Sequence, residues 1–84
     1  MSFRVAVRHS AEKELGRLSA QAQQRIAVAL LGLAEQPLPL NVKKLKGSDG
    51  YRIRIGNYRV LYTIDLERAE ISVFAIGHRS EVYR

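Results

Sequence analysis

Tyr51-Arg52-Ile53-Arg54-Ile55-Gly56-Asn57-Tyr58-Arg59-Val60-Leu61-Tyr62 decides the fold. Two alternating runs flank Gly56-Asn57, which is the pattern of a β-hairpin closed by a two-residue turn. Glycine has no Cβ to clash and asparagine tolerates positive φ, so the dipeptide suits a primed turn. Strand alternation then sorts the side chains by face. Tyr51, Ile53 and Ile55 share one face with Tyr58, Val60 and Tyr62; Arg52, Arg54, Arg59 and Leu61 share the other. With Gly56-Asn57 as the turn, Ile55 faces Tyr58 and Arg54 faces Arg59.

The Arg54–Arg59 pairing sets like charges opposite one another, which destabilises a sheet. One reading is a solvated outer face on which water and salt screen the repulsion, or a carboxylate from elsewhere in the chain relieves it. The other is a site for an external anion, such as a phosphodiester, whose oxygens match the guanidinium fork. The hairpin carries no acidic residue of its own, and this favours the second reading.

Charge along the chain points the same way. The net charge is +6 over 84 residues. Residues 41–60 hold Lys43, Lys44, Lys46, Arg52, Arg54 and Arg59 against Asp49 alone, a net +5, while the remaining residues contribute +1. A basic patch this concentrated is the footprint of a polyanionic partner. Its placement on a strand pattern and not on an amphipathic helix favours nucleic acid over a membrane surface. There is no cysteine, which excludes disulfides, thiolate zinc sites and cysteine nucleophiles. His9 and His78 are too few for a three-histidine metal site, and neither a metal nor a small-molecule cofactor is expected. No apolar run approaches a membrane span or a secretory signal, so the expected compartment is the cytoplasm.

Outward from the hairpin, Phe3, Val5 and Val7 alternate with Arg4 and Ala6 as a first strand. Ser10 is placed to cap a helix whose Ala11, Leu15 and Leu18 fall on one face. Ser19 caps a second helix, with an apolar stripe of Ala22, Ile26, Ala29, Leu30 and Leu33 running to about Glu35. Val28 and Leu31 lie off that stripe, either widening the buried face or exposed for a partner. Pro37 ends the helix. Residues 41–50 read as a loop into the hairpin. After a polar turn from Asp65 to Glu70, Ile71–Ile76 forms the last strand, which Gly77 ends.

The expected fold is therefore α+β, with one domain over residues 1–84. Two N-terminal helices pack on one face of a small, mainly antiparallel four-stranded sheet in the order β-α-α-β-β-β. The helices cover the Tyr51, Ile53, Ile55, Val60 and Tyr62 face and leave the arginines open. The antiparallel meander returns the end of the last strand toward Tyr58, putting His78 and Arg79 within reach of the arginine face.

In Leu45-Lys46-Gly47, in the hairpin, and in Gly77-His78-Arg79-Ser80-Glu81-Val82-Tyr83, the chain resembles the RelE toxins of type II toxin–antitoxin systems, within the RelE/ParE superfamily. The resemblance implies a metal-independent endoribonuclease that cleaves mRNA on the ribosome and so inhibits translation. The RNA's own 2′-hydroxyl attacks the neighbouring phosphate, leaving a 2′,3′-cyclic phosphate. It implies an acidic, RelB-like antitoxin as partner. Arg52, Arg54 and Arg59 match the family's basic sheet-face residues, Arg79 its tail arginine, and Tyr83 its tail tyrosine. Well-studied members carry lysine where Arg52 and Arg54 stand, one of them a proposed general base. Arginine does not release its proton in proteins, so these arginines are read as phosphate clamps. His78, whose side-chain type is suited to carrying a proton, becomes the candidate proton carrier, with Tyr83 second. The alternative within the superfamily is a ParE-like poison of DNA gyrase with no RNA chemistry.

Overall fold

The structure, a computed structural model, describes residues 2–78. Its elements run β1 (Arg4–Val7), α1 (His9–Gly16), α2 (Ala20–Glu35), β2 (Val42–Lys44), β3 (Tyr51–Ile55), β4 (Tyr58–Asp65) and β5 (Glu70–His78). They build a mixed sheet in the order β1-β5-β4-β3-β2, with the two helices on one face. The sheet thus has five strands where four were expected. The addition is β2, which pairs antiparallel with β3 through Val42↔Ile53, Lys43↔Arg52 and Lys44↔Tyr51. Three residues, two of them lysines, are too few to show alternation; the strand exists because the outer edge of β3 offers it a ladder.

The hairpin has the register its turn dictates, with Ile55↔Tyr58, Arg54↔Arg59 and Ile53↔Val60. Gly56 takes φ +61° and Asn57 stays at negative φ, the φ pattern of a II′ turn, in which glycine holds the first central position. Beyond it, β4 pairs with β5, and the extra residue near Phe74 falls at a break in register between Leu61↔Ala75 and Tyr62↔Val73. β5 does not stop at Gly77. It continues to His78 because Tyr58 and Arg59 remain available as partners.

β1 lies parallel to β5 on its other side, from Arg4↔Glu70 to Val7↔Val73, the one parallel pairing in an otherwise antiparallel ladder of described strands. The Arg8 amide still donates to the Val73 carbonyl at 2.8 Å, so Arg8 is held extended and becomes the N-cap of α1, with no side-chain cap. Ser10, expected in that role, lies inside the helix. Ser19 does cap α2: its Oγ accepts from the Ala22 amide at 3.1 Å.

The core forms between helices and sheet. Ala11, Ile26, Leu30 and Leu33 of the helices meet Ile53, Val60, Tyr62, Ile71, Val73 and Ile76 of the strands. Tyr62 is fully buried, and its hydroxyl donates to the Pro37 carbonyl at 2.7 Å, which ties the connector after α2 to the middle of the sheet. Val28 and Leu31 stay outside the core, 64% and 71% exposed, so they do not widen the buried face. No helix among the described residues is long and apolar enough to cross a membrane.

Candidate nucleic-acid interface

Register alone assembles the basic face. Arg54, Arg59 and Gly77 lie in one row across β3, β4 and β5; Lys43, Arg52, Leu61 and Ala75 lie in a second row on the same face. The core residues Ile53, Val60 and Ile76 alternate with these rows and point to the helices. Three arginines and Lys43 therefore project from the side of the sheet that neither helix covers. Arg54 is exposed; Arg52 and Arg59 are half-buried, and the Nε of Arg59 is out of contact with solvent.

This face is less open than alternation alone suggests. Leu61 is only 5% exposed and Leu45 is buried as well, although no helix lies over them. Leu45 and Phe74 converge on Gly50, where an added Cβ would stand 2.9 Å from Leu45 Cδ1 and 3.4 Å from Phe74 Cζ. The half of the face away from the turn is thus apolar, and the guanidinium groups are concentrated toward the Gly56-Asn57 end. Half-burial beside Leu61 restricts the rotamers open to Arg52 and Arg59.

The remaining sequence candidates separate. Lys44 lies on the helix side of the sheet, its Nζ 5.7 Å from the centre of the Tyr51 ring, a cation–π geometry. Lys46 is exposed in the loop between β2 and β3, where the Leu45 amide donates to the Gly50 carbonyl at 2.9 Å. His78 stands opposite Tyr58 in register and so faces the helices, away from the arginines. Its ring meets the Tyr58 ring edge-on at 6.0 Å, and it lines a cleft of about 310 Å³ with Glu14, Arg17, Leu18, Tyr58, Ile76 and Gly77. Alternation beyond Gly77 gives this answer from sequence, once β5 is known to run through that glycine. Arg79 and Tyr83 lie outside the described residues.

Two features had no sequence signal. Beyond Val73, β5 has no β1 partner, and Glu14 fills the gap: its Oε1 accepts from the Ile76 amide at 2.9 Å. Sixty-two positions separate these residues, so only the packing of α1 on β5 brings them together. The second is an apolar groove of about 540 Å³ between β1 and α2, lined by Phe3, Val5, Val7, Leu30, Leu31 and Ala34 among others. Among the described residues, no three His, Asp or Glu side chains cluster to hold a metal ion.

Known proteins share this architecture. The RelE1 protein of Methanocaldococcus jannaschii is 31% identical over all of this chain and 98% of its own. A chain of the archaeal RelE–RelB complex from Pyrococcus horikoshii superposes with a TM-score of 0.85 at 29% identity, covering 96% of this chain and 99% of the other. A chain of the toxin–antitoxin complex RelBE2 from Mycobacterium tuberculosis gives 0.87 at 25% identity, covering 96% and 95%. The model of the ParE toxin of type II toxin–antitoxin systems matches residues 5–83. With nearly its whole length matched, and with the helix pair and basic sheet described above, the chain belongs to this family of type II toxins, within the RelE/ParE superfamily.

Proposed function

We propose that this toxin is a ribosome-dependent endoribonuclease that inhibits translation by cutting mRNA, and that Arg52, Arg54 and Arg59 clamp the scissile phosphate. The observation that carries the reading is the Arg54↔Arg59 pair on the uncovered face, flanked by Arg52 and Lys43. Cleavage by a 2′-hydroxyl needs that oxygen held in line with the phosphate. It also needs matching charge for the extra negative charge of the transition state, and a proton for the departing 5′-oxygen. Fixed guanidinium groups meet the first two needs, since they donate two parallel hydrogen bonds and stay charged throughout. They do not move a proton. His78 faces the helices, so we assign proton transfer to Tyr83, with Arg79 as a further phosphate contact; both assignments follow from the family resemblance. Lys43 and Lys46 extend the attraction for RNA along the exposed edge.

Solved relatives include complexes of RelE with RelB, and we carry this over as a cognate acidic antitoxin. The basic face offers it charge, and the groove between β1 and α2, with Leu31 at its rim, offers apolar contact.

The family model is that of ParE, which supports a second reading, a gyrase poison of the same fold. One experiment separates the two. The toxin is induced, mRNA 5′ ends are mapped during translation, and trapped gyrase–DNA complexes are sought in the same cells. New 5′ ends within translated codons, lost in Arg54→Ala and Arg59→Ala, support the ribonuclease. Each lost donor is expected to slow cleavage roughly a hundred- to thousand-fold. Trapped gyrase without new mRNA ends would overturn the proposal.

A further inference from the structure

At the turn end of the sheet, the two faces are one residue apart. Arg54↔Arg59↔Gly77 form the last row on the open face, and Ile55↔Tyr58↔His78 the adjacent row on the helix face. The helix side of this end is cationic too. Arg25 of α2 reaches over the turn, so that a Cβ on Gly56 would lie 3.0 Å from its Nη2 and 3.3 Å from its Cζ. Arg17, just after α1, stands on the far side of Tyr58. Arg17 and Arg25 are exposed, and neither forms an ion pair among the described residues.

Two clefts meet at Tyr58. One, of about 230 Å³, lies between Ser19, Arg25 and the Gly56-Asn57 turn; the other, of about 310 Å³, lies between Arg17, Leu18 and His78. Glu14 also lines the second cleft, but its Oε1 is engaged by the Ile76 amide. The arrangement is an aromatic ring between two guanidinium groups, directly over the edge from the arginine face. A single RNA strand is recognised in this way, with phosphates on arginines and a base against an aromatic ring.

We infer that the RNA track continues from the arginine face over the Gly56-Asn57 turn onto Arg25 and Arg17, with a base lodged against Tyr58. This surface is a second contact for the same strand, distinct from the phosphate clamp, and the inference rests on the ribonuclease reading. It makes affinity depend on RNA length: a short oligonucleotide reaches only the clamp, while a longer one crosses the turn. An acidic protein segment would favour the same charges, but would gain nothing from nucleotides added to an RNA.

The test measures binding of 4- and 12-nucleotide RNAs to the full chain by fluorescence anisotropy across a salt series. The proteins are wild type, Arg17→Ala/Arg25→Ala, Arg17→Lys/Arg25→Lys and Arg54→Ala, each checked by circular dichroism. The expected result is that the double alanine variant binds the 12-mer roughly tenfold more weakly. Its log–log salt slope should be about 1.4 shallower, near 0.7 for each lost phosphate contact. Binding of the 4-mer should be unchanged, and the double lysine variant should recover most of the loss. Arg54→Ala should weaken both RNAs. If Arg54→Ala weakens both while the double alanine variant binds the 12-mer like wild type, the second contact is overturned and the clamp stands. If neither variant affects RNA binding, the ribonuclease reading fails with it. If, in a parallel titration with a labelled poly-glutamate peptide, the double alanine variant loses the peptide while it binds the 12-mer like wild type, the surface belongs to a protein partner and the inference is overturned.

Discussion

Glu14 offers the sharpest check on how the sheet is held beyond the end of β1. β1 covers β5 only as far as Val73, so the amides beyond it depend on other partners, and Glu14 supplies the acceptor for Ile76 at 2.9 Å. Replacing Glu14 by alanine leaves that part-buried amide without an acceptor. A hydrogen bond to a charged group contributes about 1.5–3 kcal/mol, and water reaching a part-buried donor recovers a share of it. The expected cost is therefore about 1–2 kcal/mol, a fall of roughly 5–15 °C in Tm for a domain of this size. Glu14→Gln keeps a carbonyl acceptor and loses the charge, so it should cost about half as much. Thermal melts give the global number, and amide hydrogen exchange gives the local one. Protection should fall at Ile76 and its β5 neighbours in Glu14→Ala while the β3 amides hold. A Glu14→Ala protein that melts with the wild type, with Ile76 exchange unchanged, would refute the claim that this carboxylate stands in for the missing strand.

Gly56→Ala should cost about 1–2 kcal/mol, because φ +61° is strained for any residue with a Cβ. The close Arg25 atoms end a flexible side chain and can move away, so a double-mutant cycle with Arg25→Ala should show little coupling in stability. Burial, with a smaller contribution from Tyr51, pushes the Tyr62 hydroxyl from 10.0 up to about 12. The folded protein therefore keeps a proton that the unfolded chain releases. The contribution of Tyr62 is complete below pH 10 and lost as pH rises from 10 to 12. Urea titrations at pH 9 and pH 12 should show a smaller alkaline loss in Tyr62→Phe than in wild type. Arg54→Lys keeps a cation but not the planar fork with its two parallel hydrogen bonds, so it should cleave on programmed ribosomes more slowly than wild type and faster than Arg54→Ala; a wild-type rate would show that charge alone suffices at this position.

Most of the architecture was legible in local sequence, because local sequence carried its physical cause. Gly56-Asn57 set the turn, a two-residue turn sets the register, and register alone put Arg54 opposite Arg59 on the face away from Ile53 and Val60. Ser19 and Pro37 bounded the long helix through a cap and a missing amide. The parts that escaped have causes distant in sequence. β2 is a strand because β3 has a free edge, not because Val42-Lys43-Lys44 prefers to be one. Arg8 and not Ser10 caps α1, because pairing with Val73 holds it extended. β5 runs past Ile76 because β4 supplies partners for Gly77 and His78, and alternation over those two residues turns His78 toward the helices. The clustering of basic residues was plain in the sequence. Which of them share a face was decided by the ladder: Lys43 joins the arginines, while Lys44, its neighbour, lies across the sheet on Tyr51, because successive strand residues point to opposite sides.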